Sequence, residues 1–314
     1  MKAWPKCGAP ITDVKAALQE AAWDLDEAFA ALRKRGLAAA SKKASRHAAE
    51  GLIGLAHCAN SSALVEVNSE TDFVTKTAEF QQATAVVAEA ALRIDPAHVS
   101  GVGDINVEAL GAVPLQAGGS VADAVAACAG SVRENIRLRR ACRLDAGTGV
   151  LASYLHASPA PGLGRMGALV RLESASGRLE GAAAEVAKDV GAKLAMHIVA
   201  ARPMALDRQS MPADAVAAER EIQRAHAIRL NKPAAVLDRV IAGRVHKWME
   251  EMCLLEQLFV MDAAPVQDVL RRASEAAGAP LAITGYVRLQ VAEGLGSAKS
   301  DFASEVAATL EQTG

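Results

Sequence analysis

Aromatic residues are scarce in this sequence: 3% of its 314 positions, as 3 Trp, 2 Tyr and 5 Phe. Large rings cannot fill a core at that frequency. Alanine, valine and leucine must do the packing, which favours helices that approach their neighbours closely. Neither sign of charge is in excess, with 34 Lys and Arg against 36 Asp and Glu and a net charge of -2. General nucleic-acid binding normally shows a basic surplus, so no direct nucleic-acid partner is expected, despite local basic runs at 33–35, 42–46 and 137–143. No apolar run approaches the roughly 20 residues that span a bilayer, so no membrane partner is expected and the chain reads as soluble. The five cysteines, Cys7, Cys58, Cys128, Cys142 and Cys253, form no Cys-x-x-Cys pair. Neither a zinc ribbon nor a redox dithiol is thereby supported, and reduced, mostly buried thiols in a reducing compartment are expected. The opening Met1-Lys2-Ala3-Trp4-Pro5 resembles neither a signal nor a transit peptide. Action where the chain is made, or a targeting segment missing from this sequence, would account for it.

The chemical motifs that usually reveal an enzyme are missing too. There is no lysine-bearing phosphate loop, no His-Glu-x-x-His zinc site and no Gly-x-Ser-x-Gly elbow. Histidines at 47, 57, 98, 156, 197, 226 and 246 have no metal-like spacing. Neither a metal nor a cofactor is expected. His197, on an apolar helical pattern, reads as a packed core residue.

Hydrophobic residues make up 51% of the chain, enough to build a core. Periodicity predicts two short helices within 11–36. Asp13 caps the first, with Val14, Ala17, Leu18 and Ala21 on one face. Asp24 or Asp26 opens the second, with Leu25, Ala28, Phe29 and Leu32 on one face and Gly36 at its end. A basic linker, 38–46, follows. Strands are predicted at 51–57 and 63–67 around Asn60-Ser61-Ser62, then a helix over 73–92, a Gly- and Pro-rich loop over 96–119, a helix over 121–129 and a strand over 136–144. The order recurs with strands at 150–156 and 166–172, a helix over 181–201 and a strand over 284–291. Helices over 215–230 and 234–255, broken at Asn231-Lys232-Pro233, predict a helical hairpin. A short helix at 302–310 ends the chain. The fold class is α+β: an N-terminal helical module, two repeated three-stranded antiparallel sheet subdomains backed by helices, and the hairpin inserted in the second.

Two motifs compete for function. Gly162-Leu163-Gly164-Arg165-Met166-Gly167 matches a dinucleotide-binding pattern, which needs a strand before it and a helix after it. Here Pro159 and Pro161 precede it and a strand is predicted after it, so it reads as a glycine-rich hairpin loop. The other is Asn68-Ser69-Glu70-Thr71-Asp72-Phe73-Val74, where a strand runs into a helix. Thr71 or Asp72 suits an N-cap, and Phe73 would then be an ordinary core residue of the first turn. The local pattern favours that reading, yet an aromatic and a carboxylate at a helix start are also well placed to project into a partner.

The Thr71-Asp72-Phe73-Val74 segment closely resembles the Thr-Asp-Phe-Val signature of the elongation factor Ts family. Other stretches agree in serial order. Lys6-Cys7-Gly8-Ala9-Pro10-Ile11 and Leu32-Arg33-Lys34-Arg35-Gly36 resemble its ubiquitin-associated-like module. Glu134-Asn135-Ile136-Arg137-Leu138-Arg139-Arg140 resembles its Glu-Asn-(apolar)-x-x-Arg-Arg strand, and Ala195-Met196-His197 its Ala-Met-His helix. Lys232-Pro233 and Gly243-Arg244 resemble its coiled-coil insertion, and Gly285 through Gly294 its last strand. Residues 154–165 look most like the plant-type mitochondrial branch. Arg133 and Ala292 stand where the family usually has glycine, Ser69 where it commonly has cysteine and Leu258 where it commonly has proline.

The resemblance implies a guanine-nucleotide exchange factor that performs no bond chemistry. Its partner would be elongation factor Tu, both GDP-bound and nucleotide-free, with ribosome association left open. Asp72 and Phe73, flanked by Thr71 and Val74, would insert between helices of the partner's nucleotide-binding domain. Val132, Arg133, Glu134, Asn135 and His156 are implied as further contacts, with Cys7, Gly8, Ala9 and Ile11 in the N-terminal module. The implied divisions are 1–45, 46–148, 149–203, 204–256, 257–296 and 297–314. The mitochondrial matrix is the implied location, with plastid stroma or bacterial cytoplasm as alternatives. A nucleotide-using enzyme built on Gly162–Gly167 and a non-exchanging ribosome or scaffold protein of the same fold remain the rival readings.

Overall fold

The computed structural model describes residues 11–25, 27–28, 30–32, 46–228 and 234–295. The expectations for Cys7, Gly8, Ala9, the linker at 38–45, Gly36, the break at 231–233 and the helix at 302–310 lie outside the described residues.

Helix α1, Ile11–Glu20, buries Val14 and Ala17 as its spacing requires. Asp13 sits inside its first turn instead of capping it, a position that still suits an anion near the helix N-terminus. The chain reverses through Ala22 and Trp23, both at positive φ, and becomes helical again at the described residues of 25–32. Asp24 opens this second stretch, its Oδ1 accepting from the Glu27 amide at 2.9 Å. Ala28 packs with Ala17, Ala21, Leu18 and Leu32. Leu25 departs from expectation and is exposed, because one small cluster of alanines needs only a narrow stripe. Phe29 is outside the described residues.

Strands β1, Glu50–His57, and β2, Ser61–Ser69, form an antiparallel hairpin in register from Glu50 opposite Ser69 to His57 opposite Ser62. The segment 96–119 is not the predicted loop. It holds two-residue strands β3, Val99–Ser100, and β4, Asp104–Ile105, and helix α3, Val107–Ala112, which Asn106 caps through the Ala109 amide. Elements this short give too few residues for a period to show. Helix α2, Ala78–Ala91, precedes them. Helix α4, Val121–Val132, follows, opened by a reciprocal capping box between Ser120 and Asp123. Strand β5, Arg137–Asp145, then returns beside β2. The first sheet has the order β3-β4-β5-β2-β1-β7. Its three long strands are the predicted ones, while β7, Leu163–Gly164, comes from the loop that carries the glycine motif.

The second sheet is the predicted three-stranded one, ordered β6-β8-β9 from Val150–His156, Met166–Ser174 and Leu281–Gln290. Helix α5, Gly181–Ala201, covers it. Gly191 permits the close approach, since a Cβ there would lie 2.7 Å from Cβ of Ala152. Helices α6, Ala213–Ile228, and α7, Ala234–Met252, pack on each other through Val216, Ala227, Ile241, Val245 and Met249. Helix α8, Val266–Ala277, belongs to an interval the sequence reading left unassigned. Its Val266 and Leu270 join the core between α5 and the sheet.

The two sheets stack face to face. In β2, Ala63, Val65 and Val67 meet Phe80 and Val87 of α2, while Leu64 faces the other way, toward Leu169 of β8 and Val287 and Leu289 of β9. Alternation thus buries both faces of β2, giving a helix–sheet–sheet–helix order. No described helix is long and apolar enough to cross a membrane. Of the four described cysteines Cys128, Cys142 and Cys253 are buried, and burial pushes the first two thiols up to about 12.

His197 is a core residue, as expected. It is fully buried, its Nε2 donates to Gln257 Oε1 at 3.0 Å, and its Nδ1 accepts from the Val260 amide at 3.3 Å. Burial, partly offset by the Gln257 bond, holds its pKa below the ordinary 6.5. The unfolded chain therefore takes up this proton more readily than the folded one. The contribution is whole above 6.5 and drains away as pH falls below it and through the lower folded value. Urea midpoints should fall more steeply between pH 7 and 5 for the parent than for His197→Asn. Parallel curves would show that the ring contributes nothing to the pH dependence.

Candidate functional site

Strand β2 ends at Ser69, paired with Glu50, and the chain then turns sharply. The Ser69 hydroxyl donates to the Thr71 carbonyl at 2.9 Å, closing the first bend. The Thr75 hydroxyl donates to the Asp72 carbonyl at 2.6 Å, and the Lys76 amide to the Phe73 carbonyl at 3.2 Å. These bonds make a 3₁₀ turn, Val74–Lys76. Helix α2 begins only at Ala78, so the predicted start at residue 73 is corrected. Its N-cap is Thr77, in extended conformation with its hydroxyl accepting from Phe80 N, and neither Thr71 nor Asp72 caps it. Thr77 wins because the 3₁₀ turn separates residues 71 and 72 from the first free helical amides.

That extra turn decides where the side chains go. Val74 is buried in the helix-side core and Phe73 is 74% exposed. Phe73 is therefore not the core residue of a first helical turn. Asp72, also exposed, accepts from Lys76 Nζ at 2.8 Å, and the same ammonium lies 5.3 Å from the Phe73 ring centroid. The hydrogen bond from Lys76, reinforced by the charges of Lys76 and Arg165, holds the Asp72 carboxyl below the usual range. The carboxylate and the ring thus share one cation at the tip of a short turn.

A second turn supports the first. Arg133 closes helix α4 in the left-handed region, at a φ of 61°, where a residue with a side chain costs roughly 1 kcal/mol relative to glycine. Ala292, at φ 63°, is the same case. After Arg133 the chain presents Glu134 to Thr71. One carboxylate oxygen accepts from the Thr71 amide at 2.9 Å and the other from its hydroxyl at 2.6 Å. Glu70 returns the contact, accepting from the Asn135 amide at 2.6 Å. Buried Asn135 also donates to the Arg46 carbonyl at 2.7 Å. Val132 is half-buried against the core, and Arg133 is exposed.

Beneath both turns lies the carboxylate of Glu66, fully buried. It accepts from Arg139 at 3.0 Å, Arg140 at 2.5 Å, Asn68 at 3.1 Å and the Ala292 amide at 2.8 Å. Adjacent residues of a regular strand point to opposite faces. Here Arg140 pairs with Glu66 and Leu138 with Val67, so Arg139 is the extra residue of a β-bulge. The bulge turns both guanidinium groups to one carboxylate. Arg139 and Arg140 then donate to the Glu293 and Gln290 carbonyls, joining the first sheet to the end of β9.

His156 is exposed at the end of β6, with Tyr154 Oη 3.3 Å from its Nδ1. Its carbonyl accepts from the Arg165 amide at 2.9 Å, and the Arg165 side chain pairs with Glu50 at 2.6 Å. Glu50 lies opposite Ser69, and Arg165 acts on Asp72 by charge. His156 is thereby linked to the rim that carries Phe73. Ile11 opens α1, a helix whose buried Ala17 belongs to a small cluster of its own. The sequence reading missed Lys76, Glu70 and Arg165 as members of this rim. The i, i+4 spacing of Asp72 and Lys76 was a usable signal, whereas Arg165 had none outside the glycine motif.

That motif folds as edge strand β7 followed directly by β8, so no helix N-terminus follows Gly167. Gly164 is there because a Cβ would lie 2.9 Å from the His156 carbonyl oxygen. The reading as a glycine-rich loop between strands holds, and a pyrophosphate would find no helix to meet.

Comparison with known proteins bears on this site. Residues 70–293 match a family model described as Elongation factor TS. The chain is 42% identical over 304 residues to "Elongation factor Ts" of Sphingopyxis alaskensis, covering 96% of this chain and 94% of that one. It is 41% identical over 305 residues to the protein of the same name from Paramagnetospirillum magneticum, covering 96% and 93%. A third of that name, from Syntrophotalea carbinolica, is 41% identical over 304 residues, covering 96% and 94%. All three organisms are bacteria.

Proposed function

Because the chain belongs to the elongation factor Ts family, we propose that it releases GDP from elongation factor Tu by inserting Asp72 and Phe73 between helices of the partner's nucleotide-binding domain. The observation that carries this reading is the 74% exposure of Phe73 beside a buried Val74. A ring held clear of its own core by a hydrogen-bonded turn has its apolar surface available for a partner. Burying it there contributes roughly 2–3 kcal/mol, enough for an interface hot spot. The displaced segment of the partner disturbs magnesium and phosphate coordination, and a divalent ion is among the largest local charges in such a site. No bond is made or broken by this chain.

Linkage sets the sign of the cycle. A factor that weakens GDP binding is itself bound less tightly when GDP is present, by the same factor. The chain therefore binds nucleotide-free elongation factor Tu more tightly than the GDP form. Val132, Arg133, Asn135 and His156 are proposed as further contacts around the wedge, and Cys7, Gly8, Ala9 and Ile11 as contacts of the N-terminal module. The division at 45, 148, 203, 256 and 296, and the coiled-coil role of the hairpin, belong to the same proposal. The bacterial relatives support the bacterial-cytoplasm alternative, while the likeness of 154–165 to the plant-type branch is what supports the mitochondrial matrix.

The experiment is stopped-flow release of fluorescent GDP from a cognate elongation factor Tu. The expected outcome is an increase in release rate that saturates with chain concentration. Capture of elongation factor Tu without faster release would instead assign the chain to a non-exchanging scaffold of this fold.

A further inference from the structure

We propose that Glu134 is a positioning residue for Phe73, acting through Thr71 and not by touching the partner. This rests on the wedge reading above. Both oxygens of the Glu134 carboxylate are occupied by its own chain, by the amide and the hydroxyl of Thr71 at 2.9 and 2.6 Å. Two bonds from one carboxylate to one residue fix its backbone orientation as well as its place, as a bidentate contact does. Thr71 is two residues before Phe73, and its carbonyl is held from the other side by the Ser69 hydroxyl. The turn that carries the ring is therefore gripped at Thr71 by a residue 63 positions away in sequence.

The grip is mutual. Glu70 accepts from the Asn135 amide at 2.6 Å, so each turn supplies the carboxylate that binds the other's backbone. Arg46, 3.5 Å from Glu70, and the Arg46 carbonyl on Asn135 close the arrangement from a third segment. A carboxylate suits position 134, because the Thr71 amide can only donate, its hydroxyl donates here, and an ionised carboxylate accepts from both. Glutamine keeps an acceptor for the Thr71 amide but meets the hydroxyl with its NH2 group, so that hydroxyl must reverse its role and the pair of accepting bonds is lost.

Stopped-flow GDP release with the full chain separates positioning from contact. Glu134→Ala should lower the saturating release rate by about tenfold while the half-saturating concentration moves less than about threefold. Glu134→Gln should fall between it and the parent. In a Phe73→Ala background, Glu134→Ala should add nothing, since a positioning residue has no effect once the positioned ring is gone. A raised half-saturating concentration with an unchanged saturating rate would make Glu134 a direct contact and overturn the proposal. So would an unchanged rate, or an effect that persists in the Phe73→Ala background. If Phe73→Ala alone leaves release unaltered, the wedge reading itself fails. Thermal unfolding of each variant guards against a general loss of fold, and where Glu134→Ala does not fold, Glu134→Gln carries the same comparison.

Discussion

Phe73→Ala is expected to slow stimulated GDP release from a cognate elongation factor Tu by roughly 30- to 160-fold, the equivalent of losing 2–3 kcal/mol of aromatic burial at 1.36 kcal/mol per tenfold. The parent ring is 74% exposed, its ring contact within the chain is with the ammonium of Lys76 at 5.3 Å, and the helix beyond it is capped independently by Thr77. Removing it takes nothing from the core, so the variant is expected to keep the thermal stability of the parent while its rate falls. Phe73→Leu, which keeps much of the apolar surface, falls between the two. Stopped-flow release over a range of chain concentrations measures the effect, and a folded Phe73→Ala variant with the parent rate would dispose of the wedge.

The second large effect is on stability. Glu66→Ala is expected to lower the free energy of unfolding by about 3 kcal/mol, the scale for breaking a buried, hydrogen-bonded ion pair. Its carboxylate is fully buried and takes four donors from three segments. Without it, the side chain of Asn68 and the amide of Ala292 lose an acceptor, and two guanidinium groups are left facing each other across a cavity. Arg139 and Arg140 keep some solvent access, at 18% and 31% side-chain exposure, which prevents a still larger loss. Glu66→Gln keeps the volume but turns an amide donor toward those cations, so it is also destabilising. Urea unfolding followed by circular dichroism gives the value. A change below about 1 kcal/mol would show that the sheets are held by the apolar contacts of Leu64, Leu169 and Leu289 alone.

The long elements were readable because each repeats its pattern several times. Strands β1, β2, β5, β6, β8 and β9 and helices α2, α4, α5, α6 and α7 all overlap the positions that periodicity gives them. What escaped was short or lay between strong signals: β3, β4 and α3 within 96–119, β7 inside the glycine motif, and α8 at Val266–Ala277. Two residues of strand carry no period, and a helix of six is hard to tell from a turn. At the site, the run from Thr71 to Val74 was recognisable as a strand end meeting a helix. The same letters allowed Phe73 to be either core or wedge.

Local composition by itself determined the α+β class, the strand that becomes β2, the lack of a nucleotide-binding context after Gly167, and the presence of an aromatic and a carboxylate where β2 stops. These follow from neighbours a few residues apart, whose side chains share a face through backbone geometry alone. Tertiary structure decided the rest. The exchange of carboxylates between Glu70 and Glu134, which braces the locally closed 3₁₀ turn, and the bulge that aims Arg139 and Arg140 at Glu66 join residues 63 or more positions apart. Such pairings have no periodic trace along the chain, because their geometry exists only once β5 lies beside β2.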